Sequence, residues 1–184
     1  ESKDIYHFVV GKEVNASGAR VFEVRSDMSD LPSGTYHEYF TGAVRAFAEY
    51  DPDKQNPQPL PKTAIPDMCA SLVAFFQERM SIDVGVEVRE MQRPDKPYHR
   101  HIVFEVTHEE TGNQCAFWDP KDIPAALGPR AALFDAAPWH HRKSLRLPGC
   151  KKFDGAGAYE PVNGDDLSIP SVYSKYCVSL VPAE

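Results

Sequence analysis

Two acidic residues, one position apart, end an apolar stretch of the chain. Residues 44–51 favour a strand, although their alanines would also allow a helix, and Glu49 and Asp51 lie at the end of this stretch. Side chains two positions apart share one face of a strand, so both carboxylates would point the same way. Such a pair repels itself unless a cation lies between the groups, and hard oxygen ligands suit Mg²⁺ or Mn²⁺. A solvated acidic pair at a strand end would use the same residues, so this motif alone identifies no site.

A second group of polar residues leads into a strongly apolar strand. His99, Arg100 and His101 come at the start of this segment, and residues 101–106 are rich in β-branched and aromatic side chains, which favour strands. At the beginning of that strand, His101 could present its imidazole to a phosphate. An exposed basic turn is the alternative interpretation.

A third group combines one acid with a run of basic residues. Asp135 follows the apolar residues 131–134, and residues 131–135 favour a short strand. The basic residues that come next, with no further acid before Asp154, are Arg142, Lys143, Arg146, Lys151 and Lys152. In a chain with a net charge of −7 this concentration is unexpected, and it would suit a triphosphate or a nucleic-acid backbone. A solvated basic hairpin is the alternative.

These three groups need secondary structure that brings them together. Five prolines between residues 51 and 66 exclude a helix or a central strand there and predict a long exposed loop. Residues 66–80 carry apolar side chains at helical spacing, which predicts a helix. Residues 143–147 and 173–181 favour strands. The pattern predicts a mixed α+β fold with more strand than helix.

Composition limits the class of protein. The chain has 184 residues, of which 42% are hydrophobic and 26% charged, as in a soluble domain or two joined lobes. Its four cysteines are scattered without a CxxC pair, so no zinc is expected, and reduced thiols of an intracellular protein are favoured over the bridged cysteines of a secreted one. No apolar run reaches the roughly 20 residues of a membrane span, so no membrane partner is expected. A first residue other than Met suggests a fragment or a processed chain.

Taken in order, the three groups resemble the motifs of the archaeo-eukaryotic primase superfamily, and most closely those of primase-polymerases and of large-DNA-virus primases of the poxvirus primase-helicase type. That family has two acids one residue apart at a strand end, then a Ser-x-His before an apolar strand, then an apolar strand ending in Asp. Residues 49–51, 99–101 and 134–135 match these motifs, and residues 142–147 resemble the Arg-x-x-x-Leu-Arg-Leu segment that follows. The resemblance covers roughly residues 36–165. Two positions differ, because Glu49 stands where the family usually has Asp and His99 stands where it has Ser.

The resemblance implies a DNA primase or primase-polymerase core that transfers nucleotides by a two-metal mechanism in replication or repriming. Glu49, Asp51 and Asp135 would be catalytic and would hold Mg²⁺ or Mn²⁺. The residues expected to bind the nucleoside triphosphate are His99, His101, Arg142, Lys143 and Arg146, and those expected to contact the single-stranded DNA template or the primer are Arg100, Lys151 and Lys152. The alternatives are an inactive nucleic-acid-binding accessory domain of the same fold, and a metal-dependent nuclease or phosphohydrolase.

The resemblance also implies an architecture, an α/β (α+β) core whose antiparallel sheet, of RNA-recognition-motif (RRM) type, carries all three acids with helices behind it. Residues 1–40 would belong to a small N-terminal α/β lobe and residues 41–184 to the RRM-like catalytic module, in a single catalytic core of residues 1–184. A helicase or zinc-binding module would lie outside this chain. The expected location is the nucleus, the mitochondrion or a viral replication site.

Overall fold

Two antiparallel sheets and four α-helices make up residues 8–25 and 31–180, the part of the chain that the computed structural model describes. The strands are β1 (Phe8–Glu13), β2 (Arg20–Arg25), β3 (Tyr36–Tyr39), β4 (Ala46–Tyr50), β5 (Val84–Arg93), β6 (Lys96–His108), β7 (Gln114–Cys115), β8 (Ser144–Arg146) and β9 (Glu160–Pro161). The α-helices are α1 (Ala64–Met80), α2 (Ile123–Leu127), α3 (Ala137–His140) and α4 (Pro170–Tyr176), with 3₁₀ helices at Leu31–Ser33, Pro120–Asp122 and Pro129–Leu133. The expected mixed α+β class is confirmed.

The central sheet has the strand order β4-β6-β5-β9, and β7 pairs with the C-terminal end of β6. Strand β6 contains the strand predicted at residues 101–106, and Ile102, Val103 and Phe104 are all buried. A run of consecutive buried side chains requires cover on both faces of a sheet. Helix α1 packs against β5 and supplies part of that cover.

Helix α1 begins two residues before the predicted helix of residues 66–80 and ends at the predicted residue. Its buried side chains include Met68, Leu72 and Phe76, which recur every four residues and therefore lie on one face. The helix stops at Ser81, whose φ of 54° is in the left-handed region. This stop turns the chain back into β5.

The second sheet has the order β2-β1-β3-β8 and joins distant parts of the sequence. Strand β8 lies within the predicted strand of residues 143–147 and pairs antiparallel with β3, so that Arg146 is opposite His37. This pairing places the basic segment that follows Asp135 beside the first three strands.

One predicted strand that would have carried a catalytic acid is wrong. The 3₁₀ helix Pro129–Leu133 takes the place of the strand predicted at residues 131–135. Gly128, with a φ of 80°, turns the chain just before a proline that favours a helical start. Asp135 therefore lies on a turn before α3, and the expectation that one sheet carries all three acids is wrong for this residue.

The strand predicted at residues 173–181 is also wrong: a helix occupies its first half, only Ser179 forms an isolated bridge beyond it, and residue 181 lies outside the described residues. Residues 170–176 form α4, which begins with Pro170. Proline is favoured there because N–H groups in the first turn of a helix have no hydrogen-bond partner within the helix. Tyr173 and Tyr176 are buried on the same side of this helix. Their spacing of three residues fits one helical face and overrides their preference for strands.

Candidate active site

The acidic pair and the histidine pair face each other across two neighbouring strands. Glu49 of β4 lies opposite His101 of β6, and His101 Nε2 is 3.4 Å from Glu49 Oε1. Just beyond the end of β4, His99 Nδ1 lies 3.3 Å from Asp51 Oδ1. Since alternate residues share a face, the Glu-x-Asp and His-x-His spacings place both contacts on the same side of the sheet.

The third acid, Asp135, is held beside β4 by a main-chain hydrogen bond. The Asp135 N–H donates to the Glu49 carbonyl at 2.9 Å. Asp135 Oδ1 accepts from the Ala137 N–H at 3.0 Å, which orients the carboxylate at the start of α3. The buried Trp139 anchors that helix, because its Nε1–H donates to the Phe47 carbonyl at 2.9 Å. These bonds fix Asp135 beside β4.

Arg142 is a cation that two of the three acids share. Its Nη2 lies 2.7 Å from Asp135 Oδ2 and 3.3 Å from Glu49 Oε2. The Arg142 side chain is 48% exposed and that of Glu49 is 15% exposed, so the guanidinium approaches a largely buried carboxylate from the solvent side. Lys143, the next residue, has a φ of 46°, which is uncommon for a residue with a Cβ and marks a strained turn.

Glu49 is held in its ionised form although it is largely buried. Burial opposes ionisation of Glu49, but the hydrogen bond from His101 and the charge of Arg142 outweigh it and lower the pKa of the carboxyl. Burial lowers the pKa of His101, while its contact with Glu49 opposes this shift. The His101 ring stacks on Tyr159 with centroids 3.5 Å apart. The His101 imidazole thus donates a hydrogen bond that orients the Glu49 carboxylate.

A cleft opens beside these acids and is lined mainly by cations. The basic lining residues are Lys54, Arg93, Lys96, Arg142, Arg146 and Lys152, with the histidines His37, His99 and His101, and the acidic ones are Glu49 and Asp51. Six lysines and arginines line the cleft with two carboxylates, and Asp95 and Asp135 pair with two of these cations from outside the lining. The six cations still outnumber the four acids and leave the cleft locally positive, although the whole chain has a net charge of −7. A local field of this kind attracts anions whatever the total charge.

Arg146 is a half-buried cation, and one of its donor nitrogens makes no hydrogen bond to the described residues. Its Nη1 donates to the Gly157 carbonyl at 2.6 Å, while its buried Nε has no partner among the described residues. A Cβ at Gly157 would lie 2.7 Å from Nη1, so only glycine permits this approach. Arg93 differs, because Asp95 neutralises it at 2.6 Å. A half-buried cation that forms no ion pair with the described carboxylates favours the entry of an anion.

Most of the residues predicted from the sequence line this cleft. They are Glu49, Asp51, His99, His101, Arg142, Arg146 and Lys152, and Asp135 contacts it through Arg142. Besides Asp135, three predicted residues are not among the lining residues: Lys143 and Lys151 are exposed, and Arg100 Nε donates to Glu90 at 3.0 Å beside a separate cavity.

The motifs do not mark several residues that the fold places in the cleft. Lys54 comes from the proline-rich loop, and Arg93 lies at the register shift that ends β5. His37 arrives from the second sheet, and Tyr159 from the loop before β9. Each is a single residue without a surrounding pattern, so only the tertiary structure reveals it.

Acidification is expected to destabilise the protein through His37. Its Nε2 lies 3.3 Å from Glu13 Oε2, and burial, together with the charges of Arg20 and Arg146, lowers the pKa of His37 to about 4. The unfolded chain titrates near 6.5, so it binds the proton first, and stability is lost as pH falls from about 6.5 to about 4. We expect the free energy of unfolding of wild type to fall between pH 7 and pH 5 by at least about 1 kcal/mol more than that of His37→Gln. Urea titrations at the two pH values measure this difference. The same pH dependence in both proteins would contradict this assignment.

Within the described ranges, no helix has both the length and the apolar character needed to cross a membrane. Comparison of the chain with protein-family models and with curated proteins finds no match.

Proposed function

We propose that this chain is the catalytic core of a DNA primase or primase-polymerase that extends a primer on a single-stranded DNA template. The observation that carries the proposal is the placement of Glu49 and Asp135, from distant parts of the sequence, around one cation beside a positively charged cleft. Nucleotidyl transfer needs both features, because carboxylates hold divalent ions and cations neutralise the triphosphate. The primase-like order of the motifs supports this choice of reaction.

Two of the three carboxylates share one cation and have the chemistry of a divalent-ion site. Oxygens of Glu49 and Asp135 both lie within 3.3 Å of one nitrogen, so one small cation could contact both, whereas Asp51 contacts His99. Among residues 8–25 and 31–180, no three acidic, histidine or cysteine side chains are arranged to hold one metal ion. When bound, Mg²⁺ or Mn²⁺ would activate the primer 3′-hydroxyl and stabilise the leaving pyrophosphate. Arg142 would then withdraw from the carboxylates, and its exposed position allows that movement.

The cations of the chain would bind the triphosphate. Arg146 offers a donor nitrogen that has no partner among residues 8–25 and 31–180, and Lys54 and Lys96 line the same cleft. Charge-assisted hydrogen bonds from arginine to phosphate are short, directional and stronger than neutral ones. Once released from the carboxylates, the Arg142 guanidinium would also bind the triphosphate.

His101 would position Glu49 rather than contact the substrate. Its Nε2 faces Glu49 and its ring is covered by Tyr159. The side chain is 5% exposed, which leaves little room for a ligand on it. Its hydrogen bond would keep the carboxylate oriented towards the cation.

Lysines at the edge of the cleft would hold the DNA backbone. Lys152 lines the cleft, and Lys151 beside it is exposed. Contacts of lysine with phosphate release bound counterions, so binding of DNA should weaken as salt is raised.

Nucleotide incorporation tests the proposal. Labelled nucleoside triphosphates, with ribose or deoxyribose, are supplied with a primed single-stranded template and Mn²⁺. We expect extension that depends on the template and is abolished by EDTA. Template binding without extension would indicate the inactive accessory domain, and degradation of the template in the absence of nucleotide would indicate the nuclease. Either result would overturn the polymerase assignment.

A further inference from the structure

A second cavity adjoins the positively charged cleft and differs from it in chemistry. Its volume is about 380 Å³, within the range of small-molecule sites, which begins near roughly 300 Å³. Pro52 and Pro57 of the proline-rich loop form one side, and Pro97 and Tyr98 at the start of β6 form another. These side chains make a largely apolar surface.

The cavity and the cleft lie next to each other. Lys54, Lys96 and His99 line both of them. A ligand with its anionic part beside the two lysines would therefore extend its other part towards the prolines and Tyr98. This requires a molecule with a strongly charged end and a flat, weakly polar end.

We propose that this cavity binds the base and sugar of the nucleoside triphosphate whose phosphates occupy the cleft, an inference that rests on the proposed function. A nucleotide has the required division into a polyanionic chain and an aromatic ring. Tyr98 is 38% exposed and offers a ring for stacking, which accepts any base because every base has a π-face.

The prolines make the lining of the cavity conformationally restricted before a ligand binds. Proline fixes its own φ, so the segments around Pro52, Pro57 and Pro97 lose little conformational freedom on binding, and preorganised sites bind more tightly for that reason. The polar groups in the lining are confined to Asp53, Asp95 and the three shared residues. We therefore expect similar affinities for triphosphates of all four bases.

Calorimetric titration of two ligands separates this cavity from the cleft. Deoxyadenosine triphosphate and inorganic tripolyphosphate are titrated at fixed free Mg²⁺ into wild type, Tyr98→Ala and Tyr98→Phe. We expect Tyr98→Ala to bind the nucleotide about tenfold more weakly, with tripolyphosphate unchanged, and Tyr98→Phe to behave as wild type. Trp118→Ala is the matched control, because Trp118 is 83% exposed and lines neither cavity; it should bind both ligands normally.

Other outcomes distinguish the cavity from the function. Equal affinity of wild type for the two ligands, or a Tyr98→Ala protein that loses both or neither, would overturn the nucleoside cavity and leave the polymerase proposal standing. If wild type bound neither ligand, both proposals would be overturned.

Discussion

Asp135→Asn is expected to lower template-dependent incorporation about a thousand-fold while the protein stays folded. The substitution removes one of the two carboxylate charges that share a cation, and carboxylates that hold catalytic ions contribute several kcal/mol to the transition state. Asparagine keeps an oxygen that can accept from the Ala137 N–H, and the main-chain bond to Glu49 is untouched. The rate of single-nucleotide extension measures the loss, and urea denaturation measures the fold.

Glu78→Gln provides a matched control for this substitution. Glu78 is exposed on α1 and lines neither the charged cleft nor the second cavity, so its charge should not affect the reaction. We expect full extension activity from this variant. Wild-type incorporation by Asp135→Asn would refute the assignment of Asp135 as a metal ligand.

Trp139→Ala is expected to lower the free energy of unfolding by about 3–5 kcal/mol, the usual range for a buried tryptophan. Trp139 is 2% exposed and packs against the Phe47 ring with centroids 6.4 Å apart. Its removal leaves a cavity and an unpaired Phe47 carbonyl. Because Trp139 also anchors α3 next to Asp135, incorporation should fall together with stability. Urea denaturation and the extension assay measure the two effects.

Trp118→Ala is the natural comparison, since this second tryptophan is 83% exposed. A change within about 0.5 kcal/mol is expected there. Trp139→Phe would keep part of the buried ring and lose only the indole donor, so an intermediate loss is expected. A loss below about 1 kcal/mol in Trp139→Ala would show that α3 is not anchored through this side chain.

The elements with the strongest patterns were predictable from the sequence. The β-branched and aromatic run of β6 and the four-residue repeat of α1 both appear at the expected places. The alternation within residues 49–51 and 99–101 also predicts a shared face on each strand. It does not predict that Glu49 lies opposite His101, because register depends on long-range pairing.

The surroundings of Asp135 were harder to predict. Its preceding residues are apolar but include no β-branched side chain, and a glycine and a proline begin a helical turn instead. Arg142 illustrates a second limit. The resemblance to primase motifs predicts that it binds the triphosphate, and in the structure its guanidinium binds two acids. The sequence shows which charged residues are present, whereas the tertiary structure determines which of them form ion pairs.

The bridge from Arg142 to Glu49 and Asp135 means that the site carries its own counter-ion. Uptake of a divalent metal would then be an exchange reaction, in which an incoming ion replaces a bound charge. A monovalent ion brings no more charge than the guanidinium it would displace, so the exchange itself discriminates by valence. The displaced guanidinium would become free for an anion, and occupancy by metal and by nucleotide would therefore be thermodynamically linked.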